Sequence, residues 1–443
     1  MVPLEAAKGP AARTVAVTAE MDVDFEQEKM AVFNEAWTRL RDFFNDSTFN
    51  GLDWNDQRAR FAPLVAGART PDEARRLVNL MIGELNASHS GLNPAPAAGG
   101  TVPPATGRLG LRFETAAYEQ RGRLRIASVL PLGAGALAGL RPGDELLAVD
   151  DQPVGPRTNL DELLQYKVGR RVTLRVSSAT AATSADLQPP APTKSKKNRR
   201  GAPAGPHATT RDVVVRPLSR DTEKALDYRQ WVEERRTYVA KASGGRLGYV
   251  HMFDMSAGAL AQLYLDLDTE NLGRDGVVVD VRNNNGGFVN VYAIDVLARR
   301  SYLTMTSRTR PRPVLARGAL GQRALELPTV LVTNQHSLSD AEDFSEGYRA
   351  GQLGKIVGEP TGGWIIFTSN ISLLDGSSLR LPSSTIRAVR DGKIMEMNPR
   401  PVDVPMSNPV GASYQNQDAQ LDTAVRELLG QLPAKPSGAT GGH

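Results

Sequence analysis

The chain has 443 residues, 40% of them hydrophobic and 23% charged, with a formal net charge of +4, proportions of an ordinary globular protein with room for two or three domains. So small a charge makes no case for nucleic acid. The absence of cysteine excludes disulfides, thiolate metal sites and a thiol nucleophile. No apolar run approaches the ~20 residues of a membrane span, and no basic-then-apolar segment at the start reads as a signal peptide. The expectations are no membrane and a cytoplasmic location, with the periplasm possible, since a cysteine-free chain fits both compartments and the start of the chain says little about a signal.

Residues 1–23 hold one strand-like piece, Thr14 to Thr18, with nothing nearby to pair with, and read as a tail or the remnant of a preceding domain. From Phe25 to about Phe44, Phe33, Trp37, Leu40 and Phe44 recur at helical spacing. A second helix opens at Thr70-Pro71-Asp72-Glu73 and carries Ala74, Leu77, Val78, Met81, Ile82 and Leu85 on one face before running out into Asn86-Ala87-Ser88-His89-Ser90-Gly91. These two make residues 24–93 a helical part. A Pro/Ala/Gly-rich linker follows between Asn93 and Thr106.

Residues 107–217 read as a small β-rich module. A Leu109-Gly110-Leu111 loop is followed by Leu140-Arg141-Pro142-Gly143-Asp144 and an alternating strand to Asp150, with an amphipathic helix near Leu160 to Tyr166. This resembles a PDZ domain, which implies that the backbone of Leu109, Gly110 and Leu111 holds a peptide's terminal carboxylate. Residues 177–210, with a basic run from Lys194 to Arg200, lack apolar periodicity and read as a disordered insertion between two strands.

Beyond it, a helix from Lys224 to about Ala240, a strand Leu247 to Met252, a helix Met255 to Leu267 and an apolar strand Gly276 to Val281 alternate as an α/β sheet with crossovers does. That strand ends in Asn283-Asn284-Asn285-Gly286-Gly287, where glycines let backbone approach a ligand. The run Thr329-Val330-Leu331-Val332 suits a buried parallel strand and leads straight into Ser337-Leu338-Ser339-Asp340. Ser339 and Glu342 have the spacing of a capping box, and Gly351 stops the helix. As a plain structural feature this is a cap; as a chemical one it is a nucleophile turn, with Ser339 beside unpaired N–H groups that can hold an oxyanion. Asp-Gly turns at Asp375-Gly376 and Asp391-Gly392, a late Glu396, a final helix near Asp418 to Leu429 and a disordered tail at 431–443 complete the chain.

Taken in order, the Ser-His pair, the PDZ insert, Asp280-Val281-Arg282-x-Asn284-x-Gly286-Gly287-Phe288-Val289, the Asn334 to Phe344 stretch and Glu396 followed by Pro401-x-Asp403-Val404 resemble the peptidase half of the tricorn protease, from about Asp24 to Leu429. The resemblance implies an α/β core of the ClpP/crotonase-like kind over residues 224–430, a mixed sheet with crossover helices. It also implies a serine endopeptidase for short or unfolded peptides, with no cofactor, no metal and a hexameric homo-oligomer as the family's assembly. By position it makes Ser339 the nucleophile, His89 the general base, Ser88 its auxiliary hydroxyl and Glu396 the orienting carboxylate. The oxyanion hole falls to the N–H groups of Asp340 and of Gly286, with Gly287 as the alternative. Of the five histidines, His443 and His207 lie in the tail and insertion, His251 within a strand, and His336 too close along the turn to Ser339. The related C-terminal processing peptidases use a lysine instead; near Trp364 there is none, and Lys355 comes too early. The alternative is a catalytically silent peptide-binding or PDZ scaffold protein of the same fold.

Overall fold

The computed structural model describes residues 22–96, 105–178, 209–269, 273–315 and 325–433. The strand-like piece at Thr14 to Thr18, most of the insertion and nearly all of the tail lie outside the described residues.

Helix α1 (Phe25–Phe43) is capped by the Asp24 side chain on Glu26 N–H and buries Val32, Phe33, Ala36, Trp37 and Leu40 on one stripe. Helix α3 (Pro71–Gly83) starts as its sequence predicts, with Thr70 Oγ1 accepting from Glu73 N–H at 3.2 Å. Between them stands α2 (Trp54–Ala66), which the periodicity did not announce because it buries only Trp54, Phe61 and Val65 and carries Pro63 inside. The three helices share one apolar core with Leu92, Leu373, Leu379 and Leu381. That core is what binds the start of the chain to its later half. Strand β1 (Gly91–Asn93) pairs Leu92 with Leu379, far along the chain.

The PDZ module is a five-strand antiparallel path of β2 (Leu111–Phe113), β3 (Leu124–Val129), β4 (Glu145–Val149), β6 (Val172–Ser178) and β7 (Thr209–Val215), with β5 (Gln152–Pro153) on β4. Short helices α4 (Thr115–Arg121), α5 (Ala134–Leu137) and α6 (Leu160–Leu163) complete it. Of the helix expected from Leu160 to Tyr166 only this last single turn forms. The module leaves and rejoins the chain at one place, where Arg108 and Leu218 exchange backbone hydrogen bonds at 2.8 and 2.7 Å.

From there α7 (Arg220–Ala242) leads into β8 (Leu247–His251), α8 (Ala257–Thr269), β9 (Gly276–Asp280), α9 (Asn290–Ala298) and the hairpin β10 (Thr304–Ser307) and β11 (Arg310–Leu315). Next come β12 (Thr329–Thr333), α10 (Asp340–Ala350), β13 (Gly354–Gly358), β14 (Ile366–Ser372), β15 (Ser378–Thr385), β16 (Val404–Pro405) and α11 (Ala419–Gln431). The central sheet runs β16-β13-β12-β9-β8 and every pairing in it is parallel. Antiparallel pairing in this half belongs to the separate sheet β1-β15-β14 and the β10-β11 hairpin. The two faces of the central strands are buried in different cores, which is why they read as unbroken apolar runs. Val277, Val279 and Leu331 meet Phe344 and Tyr348 of α10, whereas Val278, Val330 and Val332 meet Leu421, Val425 and Leu428 of α11. Strand β12 lies in the middle, so the turn after it emerges at the carboxyl edge of the sheet, where α/β folds hold their ligands. No helix among the described residues is long and apolar enough to cross a membrane.

Candidate active site

Ser339 occupies that turn. Its backbone, at φ 55° and ψ −124°, is not the extended conformation of an ordinary N-cap. A non-glycine residue held there is strained, and strain of this kind, on the order of 1–3 kcal/mol, persists where surrounding contacts impose it. The contacts are these. Ser339 N–H donates to Trp364 O at 3.0 Å and faces Glu342 Oε1 at 3.3 Å, while Glu342 N–H donates to Ser339 O at 2.7 Å. Ser337, fully buried, donates its hydroxyl to Val281 O at 2.8 Å, and Leu338 N–H donates to Asn284 O at 2.8 Å. The turn is thus tied on one side to the loop after β9 and on the other to residues 361–364.

Glu342 does more than cap. It is wholly buried, and its carboxylate accepts from Thr361 Oγ1 (2.6 Å), Gly363 N–H (2.7 Å) and Trp364 N–H (2.6 Å). Burial pushes its carboxyl up from the usual range, and those hydrogen bonds with the one at Ser339 oppose the shift. Truncating Glu342 to alanine leaves several buried donors without an acceptor, so Glu342→Ala is expected to cost at least about 3 kcal/mol in chemical denaturation. An unchanged unfolding midpoint would show that the clamp carries no weight.

The loop after β9 is set by Arg282, a buried guanidinium that grips Asp280 (2.7 Å) and Asp418 (3.0 Å). Asn284, also fully buried, donates its amide to Met252 O at 2.9 Å and accepts Gly286 N–H at 2.8 Å. Here the expectation for Gly286 needs correcting: its N–H is committed to Asn284 and is not left for an oxyanion. Among the described residues no acceptor takes the N–H of Gly287 or of Asp340. Gly286 instead supplies space. A Cβ there would lie 2.5 Å from Ser339 Cβ and 2.8 Å from Asp340 N, which shows how closely the loop is laid against the nucleophile turn.

The third segment comes from the far end of the chain. His89 Nδ1 lies 2.6 Å from Ser88 Oγ, and Ser88 Oγ donates to Glu396 Oε2 at 3.0 Å. Glu396 also accepts Ser88 N–H (2.7 Å) and Ile365 N–H (2.8 Å). His89 is at φ 58°, and Met397, beside Glu396, also at φ 58°. Positive φ therefore occurs at Ser339, at His89 and beside Glu396. β1, which starts two residues after His89, is paired to β15 in the antiparallel sheet and so holds the Ser88–His89 stretch against the later half of the chain. It meets the serine through one stretch of backbone: Trp364 O takes Ser339 N–H, and the next residue gives its N–H to Glu396. No direct hydrogen bond joins His89 to Ser339 among the described residues. Burial, and then the charge of Arg380, lower the His89 pKa from 6.5 to about 4, so the imidazole is neutral at pH 7.

The other candidates lie elsewhere. His251 is buried, with Nδ1 2.8 Å from Tyr228 Oη and Nε2 3.1 Å from Arg282 O, a packed core histidine as expected. His336 is exposed. Lys355 pairs with Glu427 at 2.7 Å on the outside of β13, away from Ser339. Sequence reasoning missed the part played by Glu342 and Asn284. The capping spacing marked Glu342, but nothing local could show that residues 361–364 would pack on it.

Residues 246–399 match the model of peptidase family S41, residues 25–83 that of the tricorn protease C1 domain and residues 125–177 that of a PDZ domain. The chain is similar to tricorn protease homolog 1 of Streptomyces coelicolor, 31% identical over 92% of this chain and 35% of that protein. It is similar also to the tricorn protease of Thermoplasma acidophilum, 25% identical over 93% and 36%. A carboxyl-terminal-processing protease of Picosynechococcus is 24% identical over 96% of this chain and 92% of its own length. The crystal structure of the tricorn protease superposes with a TM-score of 0.76 at 22% identity, over 92% of this chain and 37% of that one. The chain thus spans about a third of the length of the first curated relatives that it matches.

Proposed function

Because the chain belongs to the tricorn and C-terminal processing serine peptidase family, we propose that it hydrolyses peptide bonds in short or unfolded peptides through an acyl-enzyme on Ser339. The observation that carries this is the hydrogen-bonded series Glu396–Ser88–His89, attached through residues 364 and 365 to a serine held at a strained turn. A serine hydroxyl is a weak nucleophile until a base takes its proton, and the base needs a third group to fix its tautomer. Ser88, donating to Glu396, accepts from the Nδ1–H of His89 and leaves Nε2 as the basic nitrogen. Nε2 takes the Ser339 proton as Oγ attacks the carbonyl carbon. The resulting oxyanion is held by the N–H groups of Gly287 and Asp340, at the positive end of α10. Collapse expels the amine with the proton from His89, and water repeats the sequence in reverse to release the acid. Substrate binding would draw the imidazole onto the hydroxyl, since catalytic hydrogen bonds in an empty site are often long. A hexamer and a cytoplasmic location, with the periplasm as the other compartment, are expectations of the tricorn resemblance and belong to the same proposal. A fluorophosphonate probe should label one residue, Ser339, as read by peptide mass spectrometry. Labelling elsewhere, or none in folded protein, would refute the assignment.

The pH dependence follows from His89. Only the neutral imidazole can accept the proton, so the acid limb of kcat/KM is expected near pH 4 and not near 6.5. Arg380→Met removes a neighbouring charge that lowers this pKa and should move the limb upward. Asp343, pushed up to about 7 by burial and by Asp340 and Glu342, titrates above that limb, and Asp343→Asn separates the two. The His89 shift also has a stability sign. Unfolded histidine takes its proton near 6.5 and the folded one near 4, so the contribution is full above 6.5 and is lost as pH falls through that window. A wild-type acid limb near 6.5, or one that Arg380→Met leaves unmoved, would contradict this account.

A further inference from the structure

The carboxylate loop of the PDZ module meets a carboxylate from its own chain. Gly110 turns the loop at φ 68°, its carbonyl takes Leu130 N–H at 2.8 Å, and its N–H donates to Glu223 Oε1 at 3.1 Å. Glu223 lies outside the module, in the first turn of α7. Arg112 Nη1 comes within 3.3 Å of the same Oε1, while its Nη2 donates to both oxygens of Asp227, one helical turn further on, at 3.1 and 2.8 Å. Of these side chains Glu223 is the one withdrawn from water, 14% exposed against 51% for Arg112 and 44% for Asp227. A backbone N–H at a glycine turn and a guanidinium converging on one carboxylate is the chemistry that recognises a chain terminus. The strand leaving this loop, β2, is an end strand of its sheet, with β3 as its only partner among the described residues. An interdomain ion pair needs only Arg112 and Asp227; it does not need the Gly110 N–H.

We propose that Glu223 is an intramolecular stand-in for a peptide's C-terminal carboxylate, and that the PDZ groove takes an extended peptide with a free C-terminus by displacing Glu223 from Gly110 and Arg112. The groove is therefore self-occupied, and its affinity for such peptides is set by how firmly α7 holds the loop.

The test uses the full chain carrying Ser339→Ala, so that no peptide is cut, and a fluorescein-labelled ten-residue peptide with an apolar last residue, read by fluorescence polarisation. Adding Glu223→Ala is expected to lower Kd by about tenfold or more, the scale of one charge-assisted contact removed from competition. Glu223→Gln, which keeps the shape and drops the charge, should move Kd the same way by less. The same peptide with a C-terminal amide should fail to bind either variant. Asp227→Asn leaves Glu223 on Gly110 and should shift Kd less than Glu223→Ala does. Equal Kd with and without Glu223, equal binding of acid and amide, or a larger shift from Asp227→Asn would each overturn the proposal. Binding alone is read, so failure here leaves the peptidase assignment standing, and failed fluorophosphonate labelling leaves this one standing.

Discussion

Replacing Ser339 by alanine is expected to lower kcat on a peptide substrate by about ten-thousandfold to a millionfold, with thermal unfolding moved by no more than a few degrees. The asymmetry has a structural cause. The strained φ of 55° is imposed by hydrogen bonds of the backbone, from Ser339 N–H to Trp364 O and from Glu342 N–H to Ser339 O, and alanine keeps both. The start of α10 therefore does not depend on the hydroxyl. What alanine removes is the hydroxyl proposed to attack, and on that proposal a residual rate would come from the oxyanion donors and binding alone. Steady-state kinetics on a peptide mixture, with products identified by mass spectrometry, together with a melting curve, measure both halves. Retention of even a tenth of wild-type kcat in a pure preparation would place the nucleophile elsewhere.

The second large effect is expected at Gly286, and it is steric. Gly286 sits at φ +87°, and a Cβ there would meet Ser339 Cβ at 2.5 Å, Asp340 N at 2.8 Å and Leu338 O at 2.8 Å. None of these is the far end of a flexible side chain, so the backbone of the nucleophile turn must shift. Gly286→Ala should cost roughly 2–4 kcal/mol of stability, from the left-handed backbone and the overpacking together. It should also cost about 100-fold or more in kcat, because it forces Asp340 N–H off the position an oxyanion would take. Measuring turnover at low temperature, where the variant is still folded, separates the two losses. A Gly286→Ala enzyme with wild-type kcat/KM would mean that the loop is not laid against the serine as described.

Much of the helical and strand content was legible because local patterning and tertiary demand agree. Strand β12 is apolar on both faces because it is buried on both, and the Thr70-Pro71-Asp72-Glu73 start is a complete capping signal. Helix α2 escaped because it carries Pro63, a residue that argues against a helix interior, and its few buried residues are widely spaced. The candidate site was legible in part for a different reason: Ser339, His89, Ser88 and Glu396 stand within a series of motifs whose order matches a known family. The choice between Gly286 and Gly287 could not be made that way. It turns on whether the Asn284 amide folds back onto Gly286 N–H, a contact between residues two apart whose geometry depends on Met252 across the sheet.

The amino-acid sequence by itself determined the parallel sheet with its crossovers, the strand-to-helix turn at Ser339 and the turn at Gly110, since each of these is a local pattern of apolar spacing, caps and turn residues. Only the tertiary structure decided which distant groups meet: Glu396 with Ser88, Glu342 with residues 361–364, and Glu223 with Gly110. A carboxylate carries no mark of its partner in the sequence around it. The partner is chosen when apolar cores such as that of Leu92 and Leu379 close and bring separate stretches of chain within hydrogen-bonding reach.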